Sequence, residues 1–257
     1  MSNSEIFIAF YTILRREIRR FTRIWPQTLL PPAITMSLYF AIFGNLIGSR
    51  IGQMGGFSYM QYIVPGLIMM SVITNSYSNV SSSFFSAKFQ HSIQELLVSP
   101  TPNWVILVGY VLGGVARGLF VGGIVTILSL FFTHLHLQNL FLTIAVVCLT
   151  AIMFSLGGFV NAIYARNFDD VSIVPTFILT PLTYLGGVFY SIDLLPSFWQ
   201  HVSLLNPVLY MVNAFRYGIL GVSDINVYMA LVIVGIFIVV LFTFGLHLLN
   251  KGKGIRS

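Results

Sequence analysis

Charge is scarce in this chain. Lys, Arg, Asp and Glu together make up 8% of it, while hydrophobic residues make up 56%. Soluble domains carry roughly 25% charged residues, so an ordinary soluble core is excluded and several passages through a bilayer are implied. Cysteine is scarcer still. The one cysteine, Cys148, sits in an apolar run, which excludes an intrachain disulfide and predicts an inert packing residue. There are seven acids, Glu5, Glu17, Glu95, Asp169, Asp170, Asp193 and Asp224, and none falls in the middle of a long apolar run. Proton- and sodium-driven carriers commonly keep an ionisable group at mid-membrane, so its lack argues against that class. It does not exclude it, because backbone carbonyls also coordinate Na⁺. No G-x-x-x-x-G-K-[ST] phosphate loop, G-x-S-x-G, H-E-x-x-H or Cys/His cluster is present. His134 and His136 lack a third ligand, so no metal site is expected, and no catalytic one. The net charge of +6 fits basic cytoplasmic loops better than a nucleic-acid partner. The first apolar run, Ile6–Leu14, follows Glu5 and leads straight into arginines, unlike a secretory signal.

What is present is a series of apolar segments with sharp punctuation. Residues 2–25 predict an amphipathic helix opened by a Ser2–Glu5 capping box. Its apolar stripe is Phe7, Phe10, Leu14, Ile18, Phe21 and Trp25. Arg15, Arg16, Arg19, Arg20 and Arg23 are expected at the membrane surface, meeting anionic lipid headgroups or acting as a positive-inside anchor. Pro26 ends this helix. Spans are expected at 27–48, 59–87, 104–132, 139–164, 171–190 and 226–249. Pro31-Pro32 are placed near the first turn of the first span, and a distortion is expected at Pro65-Gly66. In the second span, Ser71, Asn75, Ser78, Ser82 and Ser86 share a face, which lines either a neighbouring helix or a substrate path. In the third, Gly114, Gly118 and Gly122 form one small-residue row and Gly109 and Gly113 a parallel pair, the pattern of tight helix packing. Arg117 is the one charge well inside an apolar run and needs a partner or a wet route out.

The segment 88–103 predicts a short helix with Phe89, Ile93 and Leu97 on one side, stopped by Pro100 and Pro102. The stretch Pro175–Gly221 is too long and too broken for one span. Residues 191–221, punctuated by Pro196, Asn206-Pro207 and Gly221, are read as an external re-entrant pair of half-helices with Arg216 near its end. Ten Lys and Arg then fall on one side of the membrane and two, Arg50 and Arg216, on the other. That bias favours six spans with both termini cytoplasmic. The expected fold is an all-α polytopic membrane protein with an N-terminal interfacial helix and an external re-entrant hairpin before the last span.

Two passages carry a family resemblance. The stretch PTFILTPLTYLGGVFYSIDLLPSFWQHVSLLNPVLYMVNAFRYGILG resembles the C-terminal signature of ABC-2 type permeases. The loop FQHSIQELLVSPTP resembles their intracellular loop, whose coupling helix reads roughly E-x-L-L-x-S-P, falling on Glu95, Leu96, Leu97, Ser99 and Pro100. The resemblance implies a bacterial inner-membrane exporter subunit that acts as a homodimer with two copies of a separate ATPase. No cofactor would be held in this chain, because ATP and Mg belong to that partner. Phe89, Ile93, Glu95, Leu96, Leu97 and Pro100 become the ATPase-coupling candidates. Ser71, Asn75, Ser78, Ser82 and Arg117 become substrate-path candidates, and Pro196, Asn206, Pro207 and Arg216 external-gate candidates. The substrate stays open between a lipid-linked glycan, a lipid and a drug. An ion-coupled carrier and a membrane scaffold are the alternative readings.

Overall fold

A computed structural model describes residues 2–135 and 137–252, almost entirely as helices. His136 and the tail residues Lys253 and Arg256, counted above for metal binding and charge, lie outside the described residues.

Helix α1 spans Asn3–Arg23, capped by the reciprocal Ser2–Glu5 box. After Ile24 the chain turns into α2, Trp25–Tyr39, with Pro26 at its start. This helix continues through a π stretch, Phe40–Ile47, into the short α3, Gly48–Ile51. Because it begins at Trp25, Pro31 and Pro32 lie inside the helix and not in its first turn. A small hairpin, Gln53–Met54 paired with Phe57–Ser58, leads to α4, Tyr59–Phe89, which holds Pro65 without breaking.

The chain then forms α5 (Ser92–Val98), α6 (Asn103–Ser129) and α7 (Leu140–Tyr164). The segment read as one span at 171–190 is a shorter composite. Helix α8, Phe168–Val174, a π stretch Pro175–Leu179 and α9, Thr180–Tyr184, run on without interruption. A turn at Gly186-Gly187 ends it, with Gly187 at a φ of 69°. The proline ring at 175 removes one backbone donor, and the wider π turn accommodates that loss. Next come α10 (Ser197–Leu204), α11 (Pro207–Leu220) and α12 (Val227–Lys251).

Four of these helical runs are long and apolar enough to cross a bilayer: Trp25–Ile51, Asn103–Ser129, Leu140–Tyr164 and Val227–Lys251. Helix α4 has the length, with 31 residues, but is interrupted by polar side chains and is buried along most of its surface. It is the central post against which α6, α7 and α11 pack. Helix α11 has most of its side chains buried, while α10 stays largely exposed.

The two glycine rows of α6 serve two different partners. A Cβ on Gly118 would fall on Ser76 of α4, and one on Gly122 would lie 2.7 Å from Val72 of the same helix. A Cβ on Gly109 would lie 2.6 Å from Ile13, and one on Gly113 2.5 Å from Glu17. The second row therefore seats α1 against the bundle. The face α1 buries is Ile13, Glu17 and Phe21, not the whole stripe that periodicity picks out; Phe7 and Trp25 remain exposed.

Candidate functional site

Polar side chains gather at the two ends of the bundle. At one end lie α1, the α4–α5 junction, the α7–α8 loop and the end of α12, where Asn103 donates to Asn250 at 2.7 Å. Most of the described Lys and Arg sit here.

Helix α5 is turned sharply off α4 by His91, which adopts a left-handed φ of 59°. The junction is held by Lys88, whose Nζ donates to the carbonyls of Ile163 (2.6 Å) and Ala165 (2.7 Å) at the end of α7. These carbonyls have no helical partner of their own, and a lysine at a helix C-terminus satisfies both the hydrogen bonds and the dipole. Burial pushes the Lys88 pKa down, opposed by the charge of Asp170. The rings of Phe89 and Phe168 pack 5.1 Å apart at a tilt of 59°, tying the α7–α8 loop to the same corner.

The apolar side of α5 does not all face outward. Ile93 is 0% exposed and belongs to the chain's own core, which removes it from any partner surface. Leu96 and Leu97 are partly covered, and Glu95 and Pro100 are exposed. Phe89 at 59% and Val98 at 87% are the apolar groups offered to solvent. Phe89, expected on the same short helix as Ile93 and Leu97, instead ends α4, because the left-handed turn at His91 separates the two helices. Helix α5, pinned by its inward isoleucine with Glu95 and Val98 outward, is a rigid protrusion suited to contact.

The arginines of α1 divide into two groups. Arg16 and Arg20 reach inward to Glu17, which is 1% exposed. Arg16 Nη2 lies 3.4 Å from Glu17 Oε1 and donates to the Tyr110 hydroxyl at 2.5 Å. Arg20 Nη2 donates to both the carbonyl and the side-chain oxygen of Asn79, each at 2.8 Å. Its Nε stands 3.6 Å from Glu17 Oε2, too far for a hydrogen bond, and neither atom has another partner among the described residues. Burial lowers the Arg20 pKa, with Glu17 acting against the shift. Arg15, Arg19 and Arg23 form no ion pair among the described residues and, with Arg16 and Arg20, line an open cleft of about 770 Å³ between α1 and α4.

Above this cleft the polar face of α4 continues inward. Arg117 donates to Asn75 Oδ1 at 3.2 Å, while its Nε makes no hydrogen bond among the described residues. Ser71 and Asn75 are buried, with Asn75 Nδ2 returning to the Ser71 carbonyl and Ser71 to Leu67. Ser78 and Ser82 are partly exposed, and Ser82 donates to the Ser78 carbonyl. The structure thus brings Arg117 and Asn75 together and leaves Ser78 and Ser82 along the same helix toward the cleft.

The opposite end is organised by Arg216, which is 0% exposed. Its Nη2 donates to the Gly187 carbonyl at 2.5 Å, its Nε to the Tyr62 carbonyl at 3.3 Å, and its Nη1 to Asn213 Oδ1 at 3.3 Å. The guanidinium also sits 4.0 Å over the Tyr62 ring. Asp224 supplies the counter-charge nearby, accepting from the Ile192 N–H at 3.2 Å and from the Tyr62 hydroxyl at 3.4 Å. Asn206 caps α11 and donates to the Leu182 carbonyl at 2.6 Å, Pro207 opens that helix, and exposed Pro196 precedes α10. Arg216 therefore locks α4, the Gly187 turn and α11 into one unit, whereas the sequence placed it simply on an external segment.

Sequence reasoning missed Glu17, Tyr110, Asn79, Tyr62, Asn213 and Asp224 as partners in these two clusters. Glu17 carried a usable signal: it falls four residues after Ile13 and four before Phe21, on the face α1 buries. Among the described residues no group of three His, Cys, Asp or Glu side chains is placed to hold a metal ion.

The family description "ABC-2 type transporter" matches residues 8–220. The chain is 59% identical over 251 residues to the inner membrane transport permease YadH of Escherichia coli K12, covering 98% of each chain. It is 23% identical over 215 residues to nodulation protein J of Rhizobium leguminosarum bv. viciae, covering 83% of each, and 21% identical over 220 residues to that of Neorhizobium galegae, covering 84% of each. With the family match running from within α1 to the end of α11, this chain belongs to the ABC-2 type transporter family.

Proposed function

We propose that this chain is the membrane-spanning permease of an ATP-driven exporter, working as a homodimer with two copies of a separate ATPase. The observation that carries the reading is α5, a short, rigidly pinned helix that presents Glu95 and Val98 outward at the arginine-rich end, beside the exposed Phe89 at the end of α4. Such a protrusion transmits work by seating in a groove of the partner. Glu95 adds a charge that fixes its register.

Six passages, with both termini in the cytoplasm, follow from the segregation of Lys and Arg to one end. Under that topology α4 and the 168–184 segment cross within the bundle. Helices α10 and α11 dip into the external face and close the path there, held by Arg216. The path runs beside Ser71, Asn75, Ser78, Ser82 and Arg117. The relative named an inner membrane transport permease supports a multi-pass place in the bacterial inner membrane.

The test is a Glu95→Arg, Val98→Asp double variant of the tagged chain. Both positions are exposed, so the permease should reach the membrane in normal amount and lose the co-purifying ATPase. Retention of the ATPase at the wild-type ratio, with unchanged transport-coupled hydrolysis, would place the coupling surface elsewhere.

A further inference from the structure

The cleft between α1 and α4 concentrates positive charge at the same end as α5, whose Ser92 also lines it. Five arginines line it against a single carboxylate, and that carboxylate is already shared by Arg16 and Arg20. Among the described residues, Arg15, Arg19 and Arg23 form no ion pair. Ser83, Ser86 and Ser92 put hydroxyls on the facing wall.

A surface helix with spare arginines is usually only a solvated face, and two features set this one apart. First, α1 is clamped in place by Ile13 and Glu17 against Gly109 and Gly113, so the arginines are held over a cavity and not free to spread on the bilayer. Second, the cationic residues continue an apolar row. Phe7, Tyr11, Arg15, Arg19 and Arg23 follow one another in steps of four along α1. Phe7, Ile8 and Tyr11 are exposed, and Tyr11 also lines the cleft. One slanting row of a single helix thus passes from hydrocarbon-binding to anion-binding chemistry.

We propose that this cleft binds the phosphate headgroup of an anionic lipid, with the phosphate among Arg15, Arg19 and Arg23 and the hydrocarbon along Phe7, Ile8 and Tyr11. Arginine forks match phosphate oxygens in paired hydrogen bonds, and a cavity of about 770 Å³ accommodates a glycerol-sized headgroup. The inference rests on the permease reading only in placing α1 at the membrane surface. Lipid binding and ATPase binding are separate measurements, so the two readings fail separately.

The full chain, purified in a neutral detergent, is titrated with phosphatidylglycerol, with phosphatidylcholine, and with inorganic phosphate, and bound lipid is counted by native mass spectrometry. Wild type should hold one phosphatidylglycerol per chain in clear preference to phosphatidylcholine. The Arg15→Gln, Arg19→Gln double variant should lower that occupancy at least five-fold. The single Arg23→Gln variant, at the end of α1, should lower it less, and it keeps the test open if the double variant is unstable. Arg50→Gln, at the far end, should leave it unchanged. Equal occupancy in wild type and both α1 variants would overturn the proposal. So would displacement of the lipid by inorganic phosphate at equal concentration, which would make this a free-anion site. Loss of the ATPase from the double variant with lipid retained would also overturn it, by assigning the cleft to a protein interface.

Discussion

Both ends of this bundle bury arginine, and they do so in opposite ways. At the Arg216 end, the guanidinium uses all three nitrogens on fixed acceptors, lies over a tyrosine ring and has Asp224 nearby. At the α1 end, Arg20 and Arg117 each leave Nε without a hydrogen bond among the described residues, as does one oxygen of Glu17. A buried cation is tolerated when its hydrogen bonds are complete and is costly when they are not. The first cluster has the character of a lock. The second is under-satisfied and opens onto a cavity, which is the character of a place where something polar binds or passes. The difference between them is completeness of partners together with depth of burial, since Arg216 is fully buried while Arg20 and Arg117 are half-buried.

The same substitution at both ends should separate lock from path. Arg216→Leu strips the Gly187 carbonyl of its donor, removes the added donor from the Tyr62 carbonyl within α4 and leaves Asp224 without its nearby cation. A loss of roughly 3 kcal/mol or more is expected, read as a large fall in the melting temperature in detergent and little folded protein. A wild-type melt would refute the lock. Arg117→Leu gives up one hydrogen bond to Asn75, so its effect on the melt should stay within about 1.5 kcal/mol while transport falls sharply. Normal transport in that variant would strike Arg117 from the path.

The next largest effect tests what holds the α1 end together. A side chain at Gly113 would begin 2.5 Å from the Glu17 Cβ, so Gly113→Leu must push α1 off α6. Overpacking of this kind costs about 1–3 kcal/mol, and here it should release a helix more than melt the bundle. Limited trypsin digestion should then cut at Arg15 to Arg23 several times faster, with α6 and α7 still protected. Equal cutting rates would mean that the glycine pair does not seat α1.

These clusters also show what a sequence gives and withholds. The capping box, the proline stops and the two glycine rows of α6 are local patterns, legible because each is decided within a turn or two of helix. The partner of each row is not local. Nothing in the spacing of Gly109 and Gly113 says that α1 fills it, and so the burial of Glu17 stayed hidden behind a wider apolar stripe. Arg216 shows the limit more sharply. Its partners, Tyr62, Gly187 and Asn213, lie up to 154 residues away, and only the packed α4 brings them together. Ile93 was visible as an apolar residue on a short helix, but periodicity cannot tell a side chain that faces a partner from one that faces its own core. The composite helix from 168 to 184 is shorter than the span read there because the Gly186-Gly187 turn ends it early.

The smallest effect expected concerns Lys88, and it bears on how the two ends communicate. Lys88 donates to two carbonyls at the end of α7 at the point where α4 hands the chain to α5. Lys88→Met keeps the aliphatic stem but frees both carbonyls, on residues that are themselves buried. The stability loss should be about 1–2 kcal/mol, the lower part of the cost of leaving a buried acceptor unsatisfied. What should change is stiffness. Helix α5 would remain anchored by Ile93 while its hinge at His91 lost its tie to α7, so motion of a bound ATPase would move α5 without carrying α7. Lys88→Met is expected to keep the ATPase on purification and its basal hydrolysis, and to lose most of the stimulation of hydrolysis by substrate. Lys88→Arg, which can reach the same carbonyls, should restore part of it. Full stimulation in the methionine variant would show that force reaches the bundle through α4 alone, and that the link between α5 and α7 is only structural.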